Sequence, residues 1–235
     1  MRTLLALSAL AFPQMAASSC ATDAMVVFDG SASMSEITFE TGLKTRIVEA
    51  REAIERVMPE IEAYRRIGLM TYGPDGEDAC SGIRLAFPPI DRAASLVVAE
   101  LNALTPAGLT PLAAAVEQAA GVLSFRERPA IIVLVTDGNE TCGGTPCALS
   151  NRLAAEARDL TIHVIGFRAN RDFFAWDNPE QQIFAGDTVA KCLSDRTGGL
   201  FLGTETVDEL EDALRITLGC PLTGSVRVPR QARGG

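Results

Sequence analysis

Short continuous apolar runs alternate with longer stretches whose apolar residues recur at helical spacing. Ala24 to Phe28 is a continuous apolar run, as expected of a strand buried on both faces. From Arg46 to Ile61 the residues Ile47, Ala50, Ile54, Val57, Met58 and Ile61 fall on one helical stripe with Glu and Arg between them, which predicts an amphipathic helix laid on a sheet. Pro59 marks its weakening or stop. Ile67 to Tyr72 reads as a second strand, Gly73-Pro74-Asp75-Gly76 as a turn, and Gly82 to Phe87 as a short strand returning as a hairpin. Pro88-Pro89 closes that hairpin and suits a sheet edge. Ser95 is the expected N-cap of a helix to Leu104, and Pro111 opens an alanine-rich helix from Leu112 to Leu123. Ile131 to Val135, β-branched and apolar, predicts a central parallel strand. A helix over Pro146 to Arg158, a strand over Thr161 to Phe167, a helix over 187–197 closed by Gly198-Gly199 and a strand over Leu200 to Leu202 follow. Thr206 and Glu209 form a capping box opening a last helix that ends near Leu218.

Strands alternating with helices imply right-handed crossovers. The expected fold is α/β: a doubly wound, mostly parallel six-stranded sheet with one antiparallel edge strand and helices on both faces. Before it, Met1-Arg2, the apolar Leu4 to Phe12 and the small residues Ala16 to Ser19 have the layout of an export signal, too short to span a bilayer. The expected organisation is a signal over 1–19, a domain over 20–220 and a tail or linker over 221–235, with no transmembrane segment. The 235 residues carry 30 acidic against 21 basic side chains, a net charge of −9, which excludes a generic nucleic-acid footprint.

Six cysteines in an exported chain favour disulfides. Chain order suggests Cys20 with Cys220, tying the ends of the domain. Cys142 and Cys147 have roughly a zinc-knuckle gap but no second close Cys or His pair, so a local Cys142–Cys147 disulfide is expected; Cys80 and Cys192 are left open. Cys20 follows the small residues directly, and a lipid anchor there is the lesser expectation. The bacterial lipoprotein signal normally carries an aliphatic residue three positions earlier, and here it is Ala17.

Two of the apolar runs end in the same way. The first stops at Asp29-Gly30-Ser31-Ala32-Ser33, the central one at Thr136-Asp137, and Thr110 stands at a loop-to-helix junction in Gly108-Leu109-Thr110-Pro111. Asp-Gly-Ser alone reads as a turn. Two strand ends carrying Asp, with a hydroxyl-bearing loop between them in sequence, point instead to one site at the carboxyl edge of the sheet. Oxygen donors without Cys or His suit a hard cation, Mg2+ first, with Mn2+ or Ca2+ as alternatives.

With those residues the sequence resembles the von Willebrand factor type A domain family, also seen in integrin inserted domains. Its Asp-x-Ser-x-Ser motif is matched by Asp29, Ser31 and Ser33, its threonine by Thr110 and its second aspartate by Asp137, over a resemblance spanning roughly residues 22 to 220. The resemblance implies a metal-ion-dependent adhesion site, with Ser31, Ser33 and Thr110 as direct ligands and Asp29 and Asp137 acting directly or through water. It also implies a protein partner whose Asp or Glu completes the cation.

The rim loops set the choice of partner in such a layout. They are 74–80, 142–147 and 168–186, the last carrying Phe173, Phe174 and Trp176. A metal-dependent hydrolase is the rival reading, and the expectation is against it: His163 lies inside an apolar strand, and neither a nucleophile elbow nor a phosphate-binding Gly-rich loop with Lys is present. A disulfide-stapled envelope scaffold that uses no metal is the third. Asn139-Glu140-Thr141 matches a glycosylation acceptor, and a periplasmic setting makes it accidental.

Overall fold

A computed structural model describes residues 20–37, 44–168 and 190–220. The expected export signal, the aromatic segment with Phe173, Phe174 and Trp176, and the tail after Cys220 lie outside the described residues. The six strands are β1 (Ala24–Asp29), β2 (Ile67–Tyr72), β3 (Ile83–Ile90), β4 (Pro129–Thr136), β5 (Asp159–Phe167) and β6 (Phe201–Thr204). They form one sheet in the order β3-β2-β1-β4-β5-β6, parallel throughout except for the antiparallel edge pair of β2 with β3. The helices are α1 (Arg46–Ile61), α2 (Ala94–Ala103), α3 (Leu112–Val122), α4 (Pro146–Glu156), α5 (Lys191–Thr197) and α6 (Val207–Leu218), with a 3-10 turn at Ala32–Ser35. This is the doubly wound α/β fold expected.

The period of two along each strand divides the core into two layers. Ala24, Val26 and Phe28 of β1, with Val133 and Val135 of β4, pack under α1, α2 and α6. Met25 and Val27, with Ile132 and Leu134, pack under α3, α4 and α5. Strands buried on both faces need apolar residues at every position, which explains the unbroken runs in the sequence.

Element ends depart from the sequence pattern where tertiary contacts supply what local chemistry lacks. Pro59 does not end α1, which runs two residues further to Ile61. Ser95 is not the N-cap of α2; the helix begins at Ala94, whose amide donates to the Glu62 carboxylate at 2.7 Å. Pro88 and Pro89 lie inside β3, which continues to Ile90, because an edge strand needs no donors on its outer side. The capping box at Thr206 and Glu209 is formed in both directions, and Gly198 ends α5 in the left-handed conformation, as expected.

The disulfides are Cys20–Cys220, Cys80–Cys142 and Cys147–Cys192. The terminal pair is the one expected; the local Cys142–Cys147 pair is not formed. Cys147 belongs to the first turn of α4 and joins α5, whereas Cys142 belongs to the loop before it and reaches the loop between β2 and β3. A sulfur bonded to Cys220 has no valence left for a lipid thioether, so this disulfide and a lipid anchor at Cys20 exclude one another.

Candidate metal centre

The switch point of the sheet makes the crevice. From β1 the chain winds outward to β2 and β3 on one side, then returns to β4, β5 and β6 on the other. Connections therefore diverge between the carboxyl ends of β1 and β4, where open α/β sheets bind ligands. Phe28 is in register with Val135, so Asp29 and Asp137 leave neighbouring strands side by side.

Asp29 is fully buried and held from two directions. Its Oδ1 accepts the Ser31 amide at 2.8 Å and its Oδ2 accepts the Thr136 hydroxyl at 2.6 Å. Thr136 in turn accepts from the Tyr72 phenol and from the Gly138 amide, each at 3.2 Å. Burial, then the charge of Asp29, push the Tyr72 phenol well above its ordinary range, so it is a neutral donor. In front of Asp29 the Ser33 hydroxyl donates to Asp137 Oδ1 at 2.8 Å, which leaves the Ser31 hydroxyl to donate to Ser33 at 3.0 Å. Asp137 Oδ2 accepts from Arg46 Nη1 at 2.8 Å. Burial first, then the charge of Asp29, raise the Asp137 carboxyl to about 6 against the opposing pull of Arg46 and Ser33.

Thr110 is placed by the backbone. Its loop donates Ala107 N–H to Gly30 O at 2.9 Å and accepts Ala32 N–H at Gly108 O at 3.2 Å. On the other side Thr110 N–H donates to the Thr141 hydroxyl at 2.8 Å, and Thr110 O accepts Thr141 N–H at 3.1 Å. The 107–110 loop therefore joins the loop after β1 to the loop after β4, with Thr110 only 5% exposed. Hydrogen bonds among side chains unite three of the five residues singled out in the sequence, Ser31, Ser33 and Asp137; Asp29 joins them through the Ser31 amide, and Thr110 through main-chain bonds of its loop to the same two loops.

Five further residues shape this edge: Arg46, Thr136, Glu140 and Thr141, with Tyr72 beneath. Glu140 accepts from the Ala113 amide at the start of α3 and from the Cys142 amide, both at 2.8 Å, and so fixes the loop after β4 to that helix. Thr136 was the legible one, since a hydroxyl in the last position of a buried strand has to find a polar partner. The Cys80–Cys142 disulfide joins the 73–82 loop to the loop carrying Glu140, on the same rim.

The donor set suits a small hard cation. The Ser31 Oγ, Ser33 Oγ and Asp137 Oδ1 atoms form a chain with spacings of 3.0 and 2.8 Å. An octahedral site with metal–oxygen bonds of about 2.0–2.1 Å has ligand–ligand edges of about 2.9 Å. The hydroxyl protons that now bridge these oxygens can turn outward and leave lone pairs inward.

Residues 24–140 match the sequence model of the von Willebrand factor type A domain. Over these residues the chain is von Willebrand factor type A domain sequence. It is similar to the protein YwmD of Bacillus subtilis (strain 168), 29% identical over 214 residues that cover 87% of this chain and 88% of the relative. Among solved structures, BatB from Bacteroides thetaiotaomicron superposes with a TM-score of 0.56 at 15% identity, covering 83% of this chain and 99% of that one. Proximal thread matrix protein 1 of the mussel byssus, described with a zinc-occupied metal site of this motif, gives 0.53 at 16% identity, with 85% and 48% covered. At such identities the two structures speak for the fold alone.

Among the described residues no helix is long and apolar enough to cross a membrane. The three disulfides are of the kind that persists in oxidising compartments.

Proposed function

We propose that this chain is an exported, metal-dependent protein-binding module. A divalent cation, Mg2+ by the donor chemistry, lies against Ser31, Ser33 and Thr110 with Asp29 and Asp137 beside or behind them. The observation that carries this reading is the oxygen chain Ser31–Ser33–Asp137 at octahedral edge spacing over the switch point. When bound, the cation supplies an electrophilic position for one more oxygen ligand. Asp29, with one oxygen on the Ser31 amide and the other on the Thr136 hydroxyl, fixes the loop that presents Ser31 and lends its charge from behind. A site with few direct negative charges has appetite for another, and the Asp or Glu of a partner protein supplies it. The zinc-occupied site of the byssus protein supports the use of this fold for divalent ions. The disulfides and the signal-like residues 1–19 support export, to the periplasm or beyond.

The reading is one of binding and not catalysis. His163, the chain's one histidine, packs in β5 with Nδ1 accepting the Leu200 amide at 3.0 Å, remote in role from Asp29 and Asp137.

Calorimetric titration with Mg2+ and Mn2+ tests the site. One cation should bind, and Asp29→Ala or Asp137→Ala should each weaken it at least about tenfold. Absence of binding by the unaltered chain would refute the proposal and favour the metal-free scaffold. Turnover of generic phosphate or ester substrates, lost in the same variants, would favour the hydrolase. Retention of one envelope protein on the immobilised chain, released by chelator, would identify the partner.

A further inference from the structure

Arg46 is the cationic side chain that closes this edge, and its position is not explained by the helix it begins. It is the first residue of α1, where the positive end of the helix dipole disfavours a cation. Its guanidinium is turned away from solvent, with the side chain 12% exposed, and Nη1 lies 2.8 Å from Asp137 Oδ2, an oxygen on a fully buried side chain. Nη2 lies 3.2 Å from Glu36 Oε2, on a side chain 57% exposed. The main chain holds this arrangement as well, since Arg46 N–H donates to Glu36 O at 3.0 Å and Ile37 bridges Thr45. Asp137 is thereby shared: Oδ1 faces Ser33 and the hydroxyl chain, while Oδ2 faces the guanidinium.

We infer that Arg46 makes cation binding at this site conditional on an acidic ligand. The inference rests on the cation-site reading above. Asp29 and Asp137 bring two negative charges to the crevice and Arg46 returns one positive charge across the same Asp137 carboxylate. A divalent ion therefore leaves a net positive centre, which holds the ion weakly by itself and binds one more carboxylate strongly. Without Arg46 the same ion is neutralised by the two aspartates and gains little from an outside acid. The exposed Glu36 pairing is weak and exchangeable, so a partner's carboxylate can take its place on Nη2 while completing the cation. Arg46 is a positioning and charge-setting residue, and it selects an acid over a neutral oxygen ligand.

The test is Mn2+ binding to the full chain at pH 8, measured by calorimetry with Mn2+ alone and again with acetate as the probe acid. A guanidinium and a divalent ion across one carboxylate repel by enough to change affinity about tenfold even in a water-like dielectric. Arg46→Gln should therefore bind Mn2+ alone about tenfold more tightly than the unaltered chain. Arg46→Lys keeps the charge and should stay with the unaltered chain. Acetate should tighten Mn2+ binding in the unaltered chain and in Arg46→Lys, and leave Arg46→Gln unchanged. Removing Arg46 leaves Asp137 less compensated, so the metal-free variant can be less stable. The rise of the unfolding midpoint between chelator and Mn2+ then provides a second readout, and it should be larger for Arg46→Gln. Equal or weaker Mn2+ binding by Arg46→Gln, with a normal unaltered chain, overturns this inference alone. An unaltered chain that binds no Mn2+ either alone or with acetate overturns the cation site itself, and the inference with it.

Discussion

His163 shows how a single half-buried group acquires a role that its chemistry does not announce. Its side chain is packed in β5 and its Nδ1 accepts the Leu200 amide, a bond that only the deprotonated nitrogen can accept. Burial first, then the charge of Arg65, lower its pKa from 6.5 to about 4. The folded imidazole is therefore neutral where the unfolded chain already takes up a proton. Its contribution to stability is complete above pH 6.5 and is lost as the pH falls from 6.5 towards 4, to a limit of about 3 kcal/mol. Urea unfolding at pH 7 and pH 4.5 should show a smaller loss in His163→Asn than in the unaltered chain. An identical loss would show that other groups carry the acid sensitivity. At the same scale, Thr136 satisfies three polar partners with one hydroxyl, which is why Asp29 can be buried without a direct cationic neighbour.

Three loops meet backbone to backbone beneath the site, and glycine permits it. Gly108 has φ +72, and a Cβ there would stand 2.1 Å from Gly73 O; Gly73 has φ +114, and its Cβ would stand 2.5 Å from Gly30 backbone atoms. These contacts position the loop carrying Thr110 against the loop carrying Ser31 and Ser33. Gly108→Ala adds a disfavoured φ to a clash with an immobile carbonyl, for a destabilisation of about 2–3 kcal/mol. Because the displaced element carries Thr110, Mn2+ affinity should fall further than the unfolding midpoint accounts for. A variant that is destabilised yet binds Mn2+ normally would separate this loop from the site.

At the scale of the whole molecule, the first and last described residues are joined. Cys20 and Cys220 are bonded across a separation of 200 residues. Beside them the buried Arg65 side chain donates Nε to Leu218 O at 2.8 Å and Nη1 to Thr22 O at 2.6 Å. One guanidinium therefore gathers the segment before β1 and the end of α6 onto the start of β2. Arg65→Met leaves these buried carbonyls without their donors, at a cost of about 3 kcal/mol. That cost should appear as a lower denaturant midpoint with cation binding kept, because the site lies at the opposite edge of the sheet. Loss of Mn2+ binding in folded Arg65→Met would show that the two edges are coupled.

The alternation of apolar runs and helical stripes was sufficient for the six strands, the six helices and the doubly wound class, because burial on both faces writes itself into every position of β1 and β4. That Asp29, Ser31, Ser33, Thr110 and Asp137 meet at one edge was legible for a related reason: strand ends in such a sheet have a known destination. The partners of those residues were not legible. Arg46 lies at the start of an amphipathic helix and looks like surface charge until the fold brings it to Asp137. Glu62 caps α2 from the end of α1, and Cys142 joins Cys80 in preference to its neighbour Cys147. Each of these depends on which loops share the carboxyl edge and which helices lie side by side. Periodicity in the chain reports what each element buries, whereas pairing across long separations is decided only when the elements have packed.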